Sequence, residues 1–219
     1  MKVACVIPAY NEEKRLLTVI SKVRPLVDDL IIVDDCSKDR TYEIARKTGV
    51  IVLHHLINLD QGGALKTGTE YALKHGADII VHFDADDQFS ATEIPEMIAP
   101  ILAGRADIVF GSRFLSKKSN LPWSKAHIIM PLARGVNRFL GIRLSDPQSG
   151  FRALSQKAAK EIEITQNGKA HCSEYIAEAF KKKLRIAEVP ITVTYHEFGQ
   201  NFGGGLQIIQ DMIIQKIIK

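Results

Sequence analysis

Short apolar runs alternate with helical patterns through the first half of the chain, and this alternation constrains the fold more than any other feature. Continuous β-rich runs lie at Val3–Ile7, Leu30–Val33, Val50–Leu53, Ile79–Phe83 and Ile108–Phe110. Helical patterns fill the intervals at Glu12–Val23, Thr41–Lys47, Gly63–Lys74 and Thr92–Leu102. Strands that are apolar on both faces and separated by helices predict a mostly parallel central sheet with helices on both faces. A chain of 219 residues fits one α/β domain with a sizeable core. In such sheets ligands bind outside the carboxyl ends of the strands. Polar motifs follow the strands there: "PAYNE" the first, "DDCSKD" the second and "DADDQ" the fourth.

Composition narrows the function classes. The chain is 46% hydrophobic and 25% charged, with a net charge of +4. That balance is ordinary for a soluble globular protein and too mild to predict a nucleic-acid partner. Cys5, Cys36 and Cys172 are scattered and odd in number, which predicts reduced thiols and a cytoplasmic setting. The N-terminus enters Val3–Ile7 directly, which is too short for a signal-peptide core. No apolar run approaches the ~20 residues that span a bilayer. The expectation is a chain that does not cross a membrane but can lie on one.

The second half reads differently. Residues 116–146 hold Lys117, Lys118, Lys125, Arg134, Arg138 and Arg143 against one acid, Asp146. A basic amphipathic segment at about 115–145 is expected to face an acceptor or a membrane. A second amphipathic helix is expected at about 205–218, where Leu206, Ile209, Ile213 and Ile217 recur at helical intervals. Packing on the sheet or on another subunit is the alternative for both segments, and it explains the second equally well.

The acids carry the chemistry. "DADDQ" puts three aspartates into four positions after the run Ile79–Val81. Carboxylates this close repel one another unless a cation offsets them. In extended backbone Asp84 and Asp86 point to one side, and with Gln88 they form a hard oxygen set suited to Mg²⁺ or Mn²⁺. A solvated acidic loop is the alternative. Asp34 and Asp35 end another strand, where one carboxylate can accept hydrogen bonds from a nucleobase or a ribose. Asp39 has the simpler reading of a cap for the helix near Thr41. The glycines of "QGGALKTG" stand at a helix N-terminus, which favours anions; close helix–sheet packing explains them equally well.

In order and spacing, "IPAYNE", "IIVDDCSKDRT", "GGALKTG", "DADDQ", "GSRF" and "DPQSGFRA" resemble family 2 glycosyltransferases of the GT-A (Rossmann-like) fold, and most of all the dolichyl-phosphate mannosyltransferase branch, which makes polyprenyl-phosphate sugars. The likeness runs from about Lys2 to Pro190. It implies that Pro8, Ala9, Tyr10, Glu12 and Asp35 bind the nucleotide, with Asp84 and Ala85 beside it. It implies that Asp84, Asp86 and Gln88 hold the metal. It places Arg113, Ser149 and Arg152 at the acceptor phosphate, with Asp86, Arg113 and Arg152 as the catalytic set. One departure stands out: after a late strand expected at Val189–Val193, where the family often carries an arginine and then Gly-x-Ser-Lys, this chain reads "TYHEFGQNFGGG". His196 there is a surface residue or a donor contact.

The resemblance implies a nucleotide-sugar donor of the GDP-mannose or UDP-glucose type and a polyprenyl (dolichyl) phosphate acceptor, with peripheral contact on the cytoplasmic face of a membrane. A phosphate acceptor is largely anionic, with a second pKa near ~6. It needs cations, such as Arg113, Arg152 and Lys125, rather than a base. A hydroxyl acceptor would need a base, for which Asp87, Asp146 and Glu174 are candidates. A third reading is a silent nucleotide-sugar-binding module. Arg113 also has a purely structural reading, as partner of an acid such as Asp84 or Asp107.

Overall fold

The computed structural model describes residues 1–115, 144–168 and 170–194, and element labels below count those residues. Seven strands form one sheet: β1 (Val3–Ala9), β2 (Asp29–Asp34), β3 (Ile51–His54), β4 (Ile79–His82), β5 (Ile108–Ser112), β6 (Arg152–Ser155) and β7 (Ile186–Pro190). The described helices are α1 (Leu16–Val23), α2 (Thr41–Lys47), α3 (Asp60–Lys74), α4 (Ile94–Leu102), α5 (Gln156–Glu161) and α6 (His171–Lys181). Strand order is β3-β2-β1-β4-β6-β5-β7. Pairs β1–β2, β1–β4, β2–β3 and β5–β7 are parallel; β6 runs antiparallel between β4 and β5.

The central strand explains the layering. All seven residues of β1 are buried, and the period of two splits them between opposite faces. Cys5 and Ile7 join α1 and α4 on one side; Ala4 and Val6 join α3, α5 and α6 on the other. Gly68 of α3 lies on Val6, where a Cβ would collide with the valine Cγ1. That contact fits the packing reading of this glycine: only a residue without a side chain lets the helix approach so closely.

Boundaries differ from expectation in instructive places. The helix expected over Glu12–Val23 begins at Leu16, because residues 12–15 form the turn that carries Glu12. The strand expected at Val189–Val193 is Ile186–Pro190, and Val193 makes an isolated bridge to Phe89. β6 has no counterpart among the sequence-predicted strands. Most of the basic segment at 115–145, Lys125, His196 and the helix expected at 205–218 lie outside the described residues. Among the described residues no helix is long and apolar enough to cross a membrane.

Candidate active site

Order along the sheet reverses beside β1, since β2 follows on one flank and β4 lies on the other. The carboxyl ends of β1, β2, β4 and β5 open on one rim, where this architecture places its ligands. Because β6 is antiparallel, the residues that precede it, Ser149–Phe151, enter at the same rim. Four non-glycine residues around it hold left-handed backbone: Asn11 (φ 57°), Cys36 (φ 61°), Asp60 (φ 59°) and Asp87 (φ 58°). Asn and Asp tolerate that region best, and such strain concentrates where surrounding structure fixes a functional turn.

Beyond Ala9, Tyr10 turns outward and is 42% exposed, whereas Pro8 and Ala9 stay buried. Glu12 is held by its backbone, with its N–H donating to Thr41 Oγ1 at 2.8 Å. Asp39 accepts from Thr41 N at 2.9 Å and from Glu13 N at 3.1 Å, so it fastens this loop to the start of α2. At the end of β2 Asp34 and Asp35 are buried, and each meets a histidine from the end of β3. His54 Nδ1 lies 2.8 Å from Asp34 Oδ2, and His55 Nδ1 lies 2.7 Å from Asp35 Oδ1.

The acidic turn follows β4. Asp84 and Asp86 do not continue the strand, which stops at His82; they sit in a turn closed by the left-handed Asp87. The extended-strand argument for their shared direction is therefore replaced by turn geometry. Gln61, from the first turn of α3, donates to Asp84 Oδ1 at 2.8 Å. A Cβ at Gly150 would lie 2.5 Å from Asp84 Oδ2, so the absent side chain makes room for that carboxylate. Burial, and then the neighbouring Asp86, push the Asp84 carboxyl up to about 7. Burial also raises Asp86. Glu12 is raised by burial and by Asp86, and its Oε2 is buried without a hydrogen-bond partner. Gln88 donates its backbone N–H to Asp86 Oδ1 at 3.1 Å. Asp87 instead pairs with Lys22 at 2.7 Å.

A hard divalent cation fits this donor set: Asp86 raises the proton affinity of both Glu12 and Asp84, and the only cation at the buried Glu12 Oε2 among the described residues is Arg15, at 3.7 Å. Among the described residues the acids do not close a cage of three or more ligands by themselves.

Behind Asp84 lies a buried polar layer. Arg152 is wholly buried. Its Nη2 donates to Ser149 O at 3.0 Å and to Cys172 Sγ at 3.2 Å, and its guanidinium stacks 4.5 Å from the Tyr175 ring centroid. Arg152 Nε and Nη1 and Ser149 Oγ are buried without partners. Burial, Arg152 and His171 hold His82 neutral, well below its ordinary pKa, and it bonds Thr69 Oγ1 at 2.9 Å.

Arg113 lies past β5 on a different flank. Its Nε and Nη2 reach Asp146 Oδ2 and Oδ1 at 2.6 and 2.7 Å. The structural partner is thus Asp146 and not Asp84 or Asp107; Asp107 takes Arg185 at 2.8 Å. Glu188 of β7 supports the pair by accepting from Ser145 N at 2.8 Å. The structure thus gathers Glu12, Asp84, Asp86 and Gln88 into one turn system, with Ser149 and Arg152 behind it. Arg113 joins a separate ion pair. His55 and Glu188 went unread in the sequence, and Gln61 and Cys172 were given no role at the site, because each is defined by a partner distant along the chain.

Residues 4–163 match the family model "Glycosyl transferase family 2". The chain is 36% identical to a UDP-N-acetylglucosamine–dolichyl-phosphate N-acetylglucosaminyltransferase of Methanococcus voltae, over 98% of this chain and 96% of that protein. It is 30% identical to an undecaprenyl-phosphate mannosyltransferase of Micrococcus luteus, over 94% of this chain and 89% of that one. Among solved structures, glucosyl-3-phosphoglycerate synthase from Mycobacterium tuberculosis, in complex with Mn²⁺, UDP-glucose and phosphoglyceric acid, superposes with a TM-score of 0.75 at 23% identity. That alignment covers 95% of this chain and 77% of the synthase, and it shows the GT-A fold. The sheet, the acidic turn and these matches together place the chain in glycosyltransferase family 2.

Proposed function

We propose that this glycosyltransferase moves a hexose from a nucleotide sugar to a polyprenyl phosphate with inversion at the anomeric carbon. The observation that carries the reading is the acid cluster of Glu12, Asp84 and Asp86 at the ligand rim, whose proton affinities stay raised although Glu12 Oε2 already pairs with Arg15 at 3.7 Å, which favours a further cation there. Asp84 and Asp86, with Gln88, would hold Mg²⁺ or Mn²⁺, which when bound supplies Lewis-acid stabilisation of the leaving diphosphate. Pro8–Glu12 and Asp35 would hold the nucleotide, with Ala85 beside it.

A phosphate acceptor agrees with the state of the candidate bases. Asp87 is paired with Lys22, Asp146 with Arg113, and Glu174 accepts from Thr165 and Gln166 N–H groups at 2.9 Å. A hydroxyl acceptor would need one of them released; a polyprenyl phosphate needs no base. The two relatives are, by name, a dolichyl-phosphate and an undecaprenyl-phosphate sugar transferase. We assign Arg113 to the acceptor phosphate, with Asp146 fixing its fork until the anion arrives. Ser149 and Arg152 act from behind Asp84 in this reading, where Arg152 offsets the acids. Peripheral attachment to the cytoplasmic face of a membrane would bring the enzyme to its lipid.

The test offers a panel of GDP- and UDP-hexoses with polyprenyl phosphate and, separately, with soluble hydroxyl acceptors, and scores the products. Lipid-linked sugar supports the proposal. Transfer to a hydroxyl acceptor alone overturns its acceptor class, and nucleotide-sugar binding without any transfer favours the silent module.

A further inference from the structure

The lone pairs of Asp35 select the base. Asp35 Oδ1 accepts two hydrogen bonds, from His55 Nδ1 at 2.7 Å and from Leu59 N at 2.8 Å. A carboxylate only accepts, so His55 Nδ1 carries the proton. His55 Nε2 meets Thr67 Oγ1 at 2.9 Å, which fixes the ring from its far side. Asn58 Nδ2 donates to the Asp35 carbonyl at 3.1 Å, and Asp35 N donates to Ala9 O at 2.9 Å. The carboxylate is thus clamped between β1, β3 and the N-terminus of α3. Each carboxylate oxygen has about two acceptor positions, so Oδ1 is saturated. Oδ2 accepts no hydrogen bond among the described residues, although Asp35 is only 3% exposed. Unlike Asp34 Oδ1, it is not sealed inside the protein.

A guanine edge presents N1–H and N2–H side by side, a fork that matches two free carboxylate oxygens. Here only one oxygen is free. A uracil or thymine ring presents a single N3–H between two carbonyls, which one acceptor oxygen satisfies. Adenine offers no ring N–H on that edge. Tyr10 directly follows Ala9, the residue whose carbonyl accepts from Asp35 N, and its side chain is exposed at the same rim. Resting on the nucleotide-site reading above, we propose that this enzyme takes its sugar from a nucleotide with a 2,4-dioxopyrimidine base, a uridine or thymidine diphosphate sugar, and that His55 is the residue that sets this preference by occupying Asp35 Oδ1.

Calorimetric binding of UDP, dTDP, GDP and ADP to the whole chain in Mn²⁺ tests it. UDP or dTDP should bind at least about tenfold tighter than GDP, the order of discrimination a well-matched base contact gives. GDP or ADP bound as tightly as UDP overturns the base assignment while leaving the nucleotide site standing. No binding of any nucleotide overturns the site reading and this inference with it. A second measurement isolates the histidine. His55→Phe frees a lone pair on Oδ1, so the ratio of UDP to GDP affinity should fall, whereas a merely structural role would weaken both nucleotides alike. An unchanged ratio in a variant whose circular dichroism matches the parent overturns the role of His55.

Discussion

Arg152 Nη2 lies 3.2 Å from Cys172 Sγ, and among the described residues this thiol is one of two atoms that accept a hydrogen bond from the guanidinium, the other being Ser149 O. A wholly buried guanidinium needs a counter-charge. Burial pushes the Cys172 thiol up, but Arg152 and His171 together outweigh it and bring the thiol down to about 6. Near neutrality the pair is therefore a thiolate and a guanidinium, directly behind Asp84.

Removing that thiolate strands the arginine. Cys172→Ala should cost about 3 kcal/mol or more, as expected when one partner of a buried ion pair is lost. The sign with pH follows from an acid whose folded pKa is depressed: its contribution is full above the ordinary thiol value of about 8.5 and is lost as pH falls through about 6. Denaturant midpoints of parent and variant should differ most near pH 9 and converge below about pH 6. A constant difference across that range would show that the thiol acts by volume alone.

Arg113 and Asp146 make the second prediction. The two parallel bonds at 2.6 and 2.7 Å use the planar fork of arginine, which lysine lacks although it keeps the charge. Arg113→Lys should lower transfer to polyprenyl phosphate by about tenfold or more, while donor binding by calorimetry stays within about twofold of the parent. Equal losses in both assays would return Arg113 to loop organisation, and brisk transfer by the variant would remove it from the acceptor site.

The third prediction concerns a helix end. After α6, Lys183 adopts φ 53°, its N–H donates to Phe180 O at 3.0 Å, and Leu184 N donates to Ala179 O at 2.9 Å. This is a left-handed helix cap, for which glycine is favoured. The Lys183 side chain is exposed. Lys183→Gly should raise stability by about 0.5–1 kcal/mol. Urea midpoints measure it, and a drop would mean that the lysine stem stabilises more than its backbone costs.

The sheet and its rim were legible in the sequence because buried parallel strands carry a strong local signal. The run from Ile79 ends and charge begins, so the position of Asp84 follows from chain order alone. β6 was not legible: Arg152–Ser155 opens with a charged residue, and its burial is set by Tyr175 and Cys172 on α6. β7 was displaced because Val193 reads as strand, yet the described strand ends at Pro190, which has no N–H to donate. Histidines 54 and 55 were silent for a related reason. Their function is their alignment with Asp34 and Asp35, which the β2–β3 register brings together across 20 residues.

The last prediction joins pH to the metal. A divalent cation needs Asp84 as a carboxylate, but burial and Asp86 hold that carboxyl up at about 7. Below that pH one proton must leave before the ion binds. Mn²⁺ affinity should therefore fall about tenfold per pH unit below about 7 and level off above it, steepening further down as Asp86, also raised, takes its own proton. Stability of the metal-free protein runs the opposite way. For an acid with a raised folded pKa, the contribution is full below the ordinary carboxyl value of about 3.9 and is lost as pH rises through about 7. The metal-free protein is thus least favoured by this group where the metal binds best. Mn²⁺ should raise the melting temperature more at pH 8 than at pH 6. Asp84→Asn should flatten both profiles and abolish transfer, and excess EDTA should silence the parent enzyme. A pH-independent Mn²⁺ affinity in the parent, or full turnover in EDTA with metal-free protein confirmed, would remove Asp84 from the metal site.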